Sequence, residues 1–170
     1  VEKRAHYRKQ EEIMKIQKKM KFLAIPLLLA VILSACSGKT SKSYTFRVET
    51  GDSIKVELDT SEDYDLEQEN GRFMVVNGEE TVLEGCFITE ETYDQYQSIK
   101  SNASVEVLKE DKKDENRYFF YKCEGSGGTE YDYVLWIEGS HTGILMGGLE
   151  GQEAAESAFE RISFSVDTEE

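Results

Sequence analysis

Apolar and polar residues alternate along much of this chain from residue 44 onward. Tyr44, Phe46 and Val48 are separated by polar residues, as are Ile54, Val56 and Leu58, with Gly51-Asp52 between the two runs. A period of two predicts half-buried strands, and a Gly-Asp pair predicts a turn. Phe73-Met74-Val75-Val76 and the stretch 81–88 flank Asn77-Gly78, two residues that tolerate positive φ, which predicts a hairpin. Val105 and Val107 alternate next, and 109–116 reads as a charged turn. A meander of strands follows at 117–123, 131–137 and 143–147. Gly125-Ser126-Gly127-Gly128 and Gly139-Ser140-His141 join them.

Two stretches change period. Thr89 is placed to cap a helix whose first turn carries Glu90 and Glu91, where negative charge suits the helix dipole. Ile88 can staple to Tyr93, and Tyr93, Tyr96 and Ile99 form the inner face. Near 151–161, Ala154, Ala155, Ala158, Phe159 and Ile162 share one helical face, and Ser163-Phe164-Ser165-Val166 then alternates as a strand. The expected fold is α+β. It is a mostly antiparallel sheet with a mid-chain helix and a C-terminal helix packed on it, one domain over 44–168.

Three stretches carry a resemblance: Tyr44-Thr45-Phe46-Arg47-Val48, the meander 117–147, and the ending 151–166. Together they resemble the PsbP-like superfamily. The resemblance implies a binding or assembly module and supplies no catalytic residues.

The region before residue 44 follows other rules. Lys18, Lys19 and Lys21 precede an unbroken apolar run from Phe22 to Ala35, with no polar face. A membrane-spanning helix needs about 20 apolar residues, so this run is short for a permanent anchor. Basic segment, apolar core and small residues are the layout of a secretory signal. Leu33-Ser34-Ala35-Cys36 resembles the lipobox of bacterial lipoproteins. That resemblance implies cleavage before Cys36 and a lipid on its sulfur. Residues 1–35 are therefore expected to be leader and signal, with 1–13 or 1–19 an over-called start and Met14 or Met20 the true one. Residues 36–43 are expected to be a short polar tether. The expected location is the outer face of a bacterial cell membrane, of Gram-positive type.

Charge narrows the partners. The chain carries a net charge of −14, and from Cys36 onward 31 Asp and Glu stand against 12 Lys and Arg. So acidic a surface repels nucleic acid and anionic headgroups. Nucleic acid is excluded as a partner. The membrane, through lipid on Cys36, and another envelope protein are the expected ones.

Candidate chemistry is sparse. Cys86 and Cys123 lie in strand-like segments and, outside the cytoplasm, either form a disulfide or stay as buried thiols. Asp59, Glu62, Asp63, Asp65, Glu67 and Glu69 crowd what reads as a loop. Asp59, Asp63 and Asp65 are its candidate metal ligands, but the spacing lacks the central Gly and terminal Glu of a calcium hand. His141 sits in a Gly-Ser-His-Thr-Gly turn, where exposure rather than catalysis is expected. Tyr118-Phe119-Phe120-Tyr121 reads as a strand covered on both faces, while Tyr131, Tyr133 and Trp136 are candidates for an aromatic contact surface. The expected function is a non-enzymatic, lipid-anchored binding or assembly module with no cofactor. The alternatives are a metal-assisted hydrolase using the acidic loop and an accessory lipoprotein of a transporter.

Overall fold

Ten strands and two helices make up the part of the chain described by the computed structural model, residues 40–125, 127–148 and 150–168. The leader, Cys36 and the first half of the expected tether lie outside the described residues. Strand β1 (Ser41–Arg47) begins inside the stretch expected to be tether. It pairs with β2 (Ser53–Asp59), which also takes β10 (Ile162–Val166) on its other side. The order β1-β2-β10 forms a three-stranded antiparallel sheet.

A second sheet has seven strands in the order β3-β4-β5-β9-β8-β7-β6, again all antiparallel. Its strands are β3 (Tyr64–Glu69), β4 (Arg72–Asn77), β5 (Glu80–Thr89), β6 (Val105–Lys113), β7 (Asn116–Gly125), β8 (Gly128–Trp136) and β9 (Thr142–Gly148). Helix α1 (Glu90–Ile99) follows β5, and α2 (Gln152–Arg161) joins β9 to β10. Both expected helices are present, and antiparallel strand outweighs them. One sheet was expected, and two are found.

The main core lies between the two sheets. Ile54, Val56 and Leu58 of β2 and Phe164 of β10 meet Leu66, Phe73, Val75, Phe120, Tyr133, Leu135 and Met146 of the larger sheet. Ala155, Ala158 and Phe159 of α2 bury into the same core. The opposite face of the large sheet carries a second, smaller cluster of Tyr93, Phe119, Tyr121 and Val134, which α1 covers. Thus Tyr118 and Phe120 point one way and Phe119 and Tyr121 the other, and all four are buried. A strand sandwiched on both faces has no polar side, and that is why this run reads as continuous aromatic.

Two stretches expected to be loops are strands. The acidic stretch contains β3, in which Tyr64 and Leu66 face the core while Asp65, Glu67 and Glu69 face outward. The stretch 109–113 extends β6, and only Asp114 and Glu115, with φ of 49° and 70°, make the turn. In both cases exposed charge hid the strand. An outward or edge face can be charged throughout without disturbing the ladder.

Candidate functional site

The side of the large sheet that carries α1 holds the features with chemical potential. Thr89 caps α1 by accepting the Thr92 N–H at 3.4 Å, and Glu90 and Glu91 fill the first turn, as expected. Tyr93 packs on Trp136 with ring centroids 5.1 Å apart, and Ile88, Tyr96 and Ile99 join the same cluster. This lays α1 over β8 and β9 and leaves a groove between the helix and the β6–β7 hairpin.

The groove encloses about 240 Å³. Tyr93, Gln97 and Lys100 line it from the helix, and Glu110, Asp111 and Arg117 from the hairpin. Lys100 Nζ lies 4.8 Å from the centre of the Phe119 ring and 3.0 Å from Glu110 Oε2. Burial pushes the Tyr93 hydroxyl above its usual pKa, and the Arg117 guanidinium opposes that shift. None of the ion pairs among the described residues uses Arg117. The groove thus presents the Arg117 guanidinium at one point, the Lys100–Glu110 ion pair and Asp111 at another, and an aromatic floor between them.

The candidate aromatic contact surface does not form, and the core reading of this aromatic region holds for Tyr133. Tyr131 and Tyr133 face the main core, and Tyr133 is only 2% exposed, stacked on Phe120 at 4.2 Å. Trp136 points to the other face, against Tyr93. The reason is the strand period: residues 131 and 133 share a face, and 136 cannot. The candidate metal ligands of the acidic stretch disperse as well. Asp65 pairs with Lys42 at 2.9 Å, Asp59 accepts the Ser61 N–H at 3.0 Å, and Asp63 sits in a turn at φ 66°.

Cys86 and Cys123 are free thiols. Strands β9 and β8 stand between them, since Cys86 registers with Leu145, Leu145 with Val134, and Val134 with Phe119 on the strand of Cys123. Three strand spacings are about 14 Å, roughly twice the widest Cα separation a disulfide spans. His141 is exposed at 81%, with its ring 3.7 Å from Asp52. Cys36 lies outside the described residues.

A third group went unnoticed in the sequence. Tyr121 and Cys123 of β7 and Glu130 and Asp132 of β8 share the α1 side of the sheet, next to the glycine-rich hairpin. Burial raises the Asp132 carboxyl to about 6, the neighbouring Tyr121 hydroxyl works against this, and the negative Glu130 adds to it. Burial and the nearby carboxylates also push the Cys123 thiol up. The missed signal was register. Once the glycines of 125–128 are taken as a hairpin, period two puts 121, 123, 130 and 132 on one face.

No known protein family matches the chain, and no curated protein does.

Proposed function

We propose that this protein is a lipid-anchored binding module on the outer face of a bacterial cell membrane, held by acyl chains on Cys36, and that the groove beside α1 receives another envelope protein. The observation that carries the reading is the groove's composition. Arg117, which pairs with no acid among the described residues, Glu110 and Asp111, and a floor of Phe119 and Tyr93 meet around one cavity. On a strongly acidic surface, a guanidinium beside aromatic rings is the kind of group that anchors a partner. The lipobox-like Leu33-Ser34-Ala35-Cys36 supports the anchoring. Because β1 begins at Ser41, only four residues, and five residue-to-residue steps, separate it from Cys36. At about 3.3–3.6 Å per extended residue, the sheet would begin within about 18 Å of the lipid. A PsbP-like relationship would fit the same binding or assembly role. The hydrolase alternative needs Asp59, Asp63 and Asp65 to converge, and the separate partners of Asp59 and Asp65 weaken that support.

The test is photocrosslinking in intact cells. A photoreactive residue replaces Gln97 in one strain and the outward-facing Glu67 in another. The reading expects one envelope protein to crosslink at Gln97, not at Glu67, and to be lost on Arg117→Glu. Equal crosslinking at both positions, or none at Gln97, overturns the groove assignment. The anchoring is tested separately by metabolic fatty-acid labelling, which should mark the wild type and leave Cys36→Ala unlabelled.

A further inference from the structure

We propose that Cys123, Glu130 and Asp132 form a binding site for a thiophilic divalent cation of the zinc class. The sulfur and one carboxylate oxygen from each acid all lie within 4.8 Å of one another, with Cys123 Sγ 4.0 Å from Asp132 Oδ2. Zinc binds sulfur at about 2.3 Å and carboxylate oxygen at about 2.0–2.2 Å, so ligand atoms around it stand about 3.3–3.7 Å apart. Closing the remaining gap of about 1 Å takes side-chain rotation only, because the backbone already holds the set. Cys123 and Glu130 are register partners on β7 and β8, and Asp132 is the next residue of β8 on the same face.

The surroundings fit a cation in three independent ways. The first is space. A Cβ at Gly147 would stand 2.8 Å from Asp132 Oδ1, and one at Gly125 would overlap the Glu130 carboxylate. The two carboxylates therefore lie over backbone that only glycine leaves bare. The second is charge. The ionisable groups acting on Cys123 are Asp132, Glu130 and Glu124, and those acting on Asp132 are Glu130 and Tyr121; no Lys or Arg is among them. Cys123 and Asp132 thus sit among acidic groups, and a divalent ion relieves the repulsion between the Glu130 and Asp132 carboxylates. The third is orientation. Tyr121 registers with Asp132 on the same face, so its hydroxyl stands beside the carboxylate, where an outer partner that fixes a metal-binding carboxylate would be.

The donor set selects the metal. Calcium and magnesium take all-oxygen shells, whereas one thiolate with two carboxylates suits zinc and its neighbours. On binding, Cys123 releases its proton to solvent, so affinity rises with pH. Cys123 and Glu130 keep partial exposure, which leaves a fourth position for water.

Cobalt is the probe, because a thiolate bound to Co²⁺ gives an intense charge-transfer absorption. The full chain is used, reduced and with Cys36→Ala to remove the competing thiol. The site predicts a saturable band with one equivalent of Co²⁺, lost in Cys123→Ser and kept in Cys86→Ser. Zn²⁺ should displace Co²⁺ and raise the melting temperature. Glu130→Gln, a surface change that leaves the core intact, should weaken Co²⁺ binding by about 10-fold or more. Absence of the band in excess Co²⁺, its loss in Cys86→Ser, or an affinity unchanged by Glu130→Gln each overturns the proposal.

Discussion

The ring of Phe159 lies face to face on that of Tyr133, with centroids 4.0 Å apart and planes 13° from parallel. Tyr133 is on β8, an interior strand, so this contact docks α2 onto the large sheet. Tyr118 flanks the same ring at 4.8 Å, and the Lys113 ammonium sits 4.9 Å from its centre. Phe159→Ala empties that position, and the expected cost is about 3–5 kcal/mol. Urea unfolding measures it. A loss under about 1 kcal/mol would mean that the site collapses freely and that α2 is not pinned here. A chain ending at Glu150 lacks both α2 and β10 and should unfold without cooperativity.

Asn116 ties the two sheets together. Its Nδ2 donates to the Phe164 carbonyl on β10 at 2.9 Å, while its Oδ1 accepts the Glu138 N–H at 2.9 Å. It is one of two buried polar residues among those described, at 4% exposure. Asn116→Leu leaves a donor and an acceptor without partners. Each unsatisfied buried group costs about 1–3 kcal/mol, so the expected loss exceeds that of a single surface hydrogen bond several-fold. Unfolding in urea again reads it, and a loss below about 1 kcal/mol contradicts this role.

Gly85 is set by the core and not by a turn. A Cβ there would overlap the Phe73 ring, which is fully buried. Gly85→Ala should therefore cost about 1–3 kcal/mol through overpacking. Phe73→Leu on its own also destabilises, by removing ring atoms. The two changes together should cost less than their sum, because the smaller side chain vacates the space that the methyl needs. Strict additivity in a double-mutant cycle would refute the steric account.

Asp52 supplies an acid-sensitive clamp between the β1–β2 turn and the β8–β9 turn. Its Oδ2 accepts the Thr142 hydroxyl at 2.7 Å, the His141 N–H at 2.7 Å and the Thr50 hydroxyl at 3.3 Å. Burial opposes ionisation, but these three hydrogen bonds outweigh it and hold the carboxyl below its usual pKa. The unfolded chain then binds the proton more readily than the folded one. The stabilisation is complete above the ordinary Asp pKa of about 4 and is lost as pH falls through the lower folded value. Wild type should exceed Asp52→Asn in stability at pH 7, and the gap should shrink below about pH 4. A gap that stays constant down to pH 3 rules the clamp out.

How far the sequence was readable depends on which faces of each element are buried. Strands β1, β2 and β4 alternate because one face meets the core and the other meets solvent, so period two is visible in Phe46, Ile54, Val56 and Phe73. Helix α1 was legible from its cap at Thr89, and α2 from Ala155, Ala158 and Phe159, since both signals are local. Strand β3 was not legible as a strand. Its outer face carries Asp65, Glu67 and Glu69, and charge dominated a pattern that only Tyr64 and Leu66 reveal.

The candidate sites depend on relations that local pattern does not contain. Period two alone separates Tyr133 from Trp136 and places Cys123 beside Glu130 once the hairpin is known, so part of this was present in the chain. The groove is different: Arg117 meets Gln97 and Lys100 only because α1 folds back across β8 and β9. Likewise, strand order puts two strands between Cys86 and Cys123, and nothing short of the order β5-β9-β8-β7 excludes their bridge. The sequence by itself determined the elements, their caps and the inward faces, because backbone geometry and hydrophobic period act over a few residues. Only the tertiary structure decided the division into two sheets, the strand order and therefore which side chains converge, because those follow from packing between residues far apart in the chain.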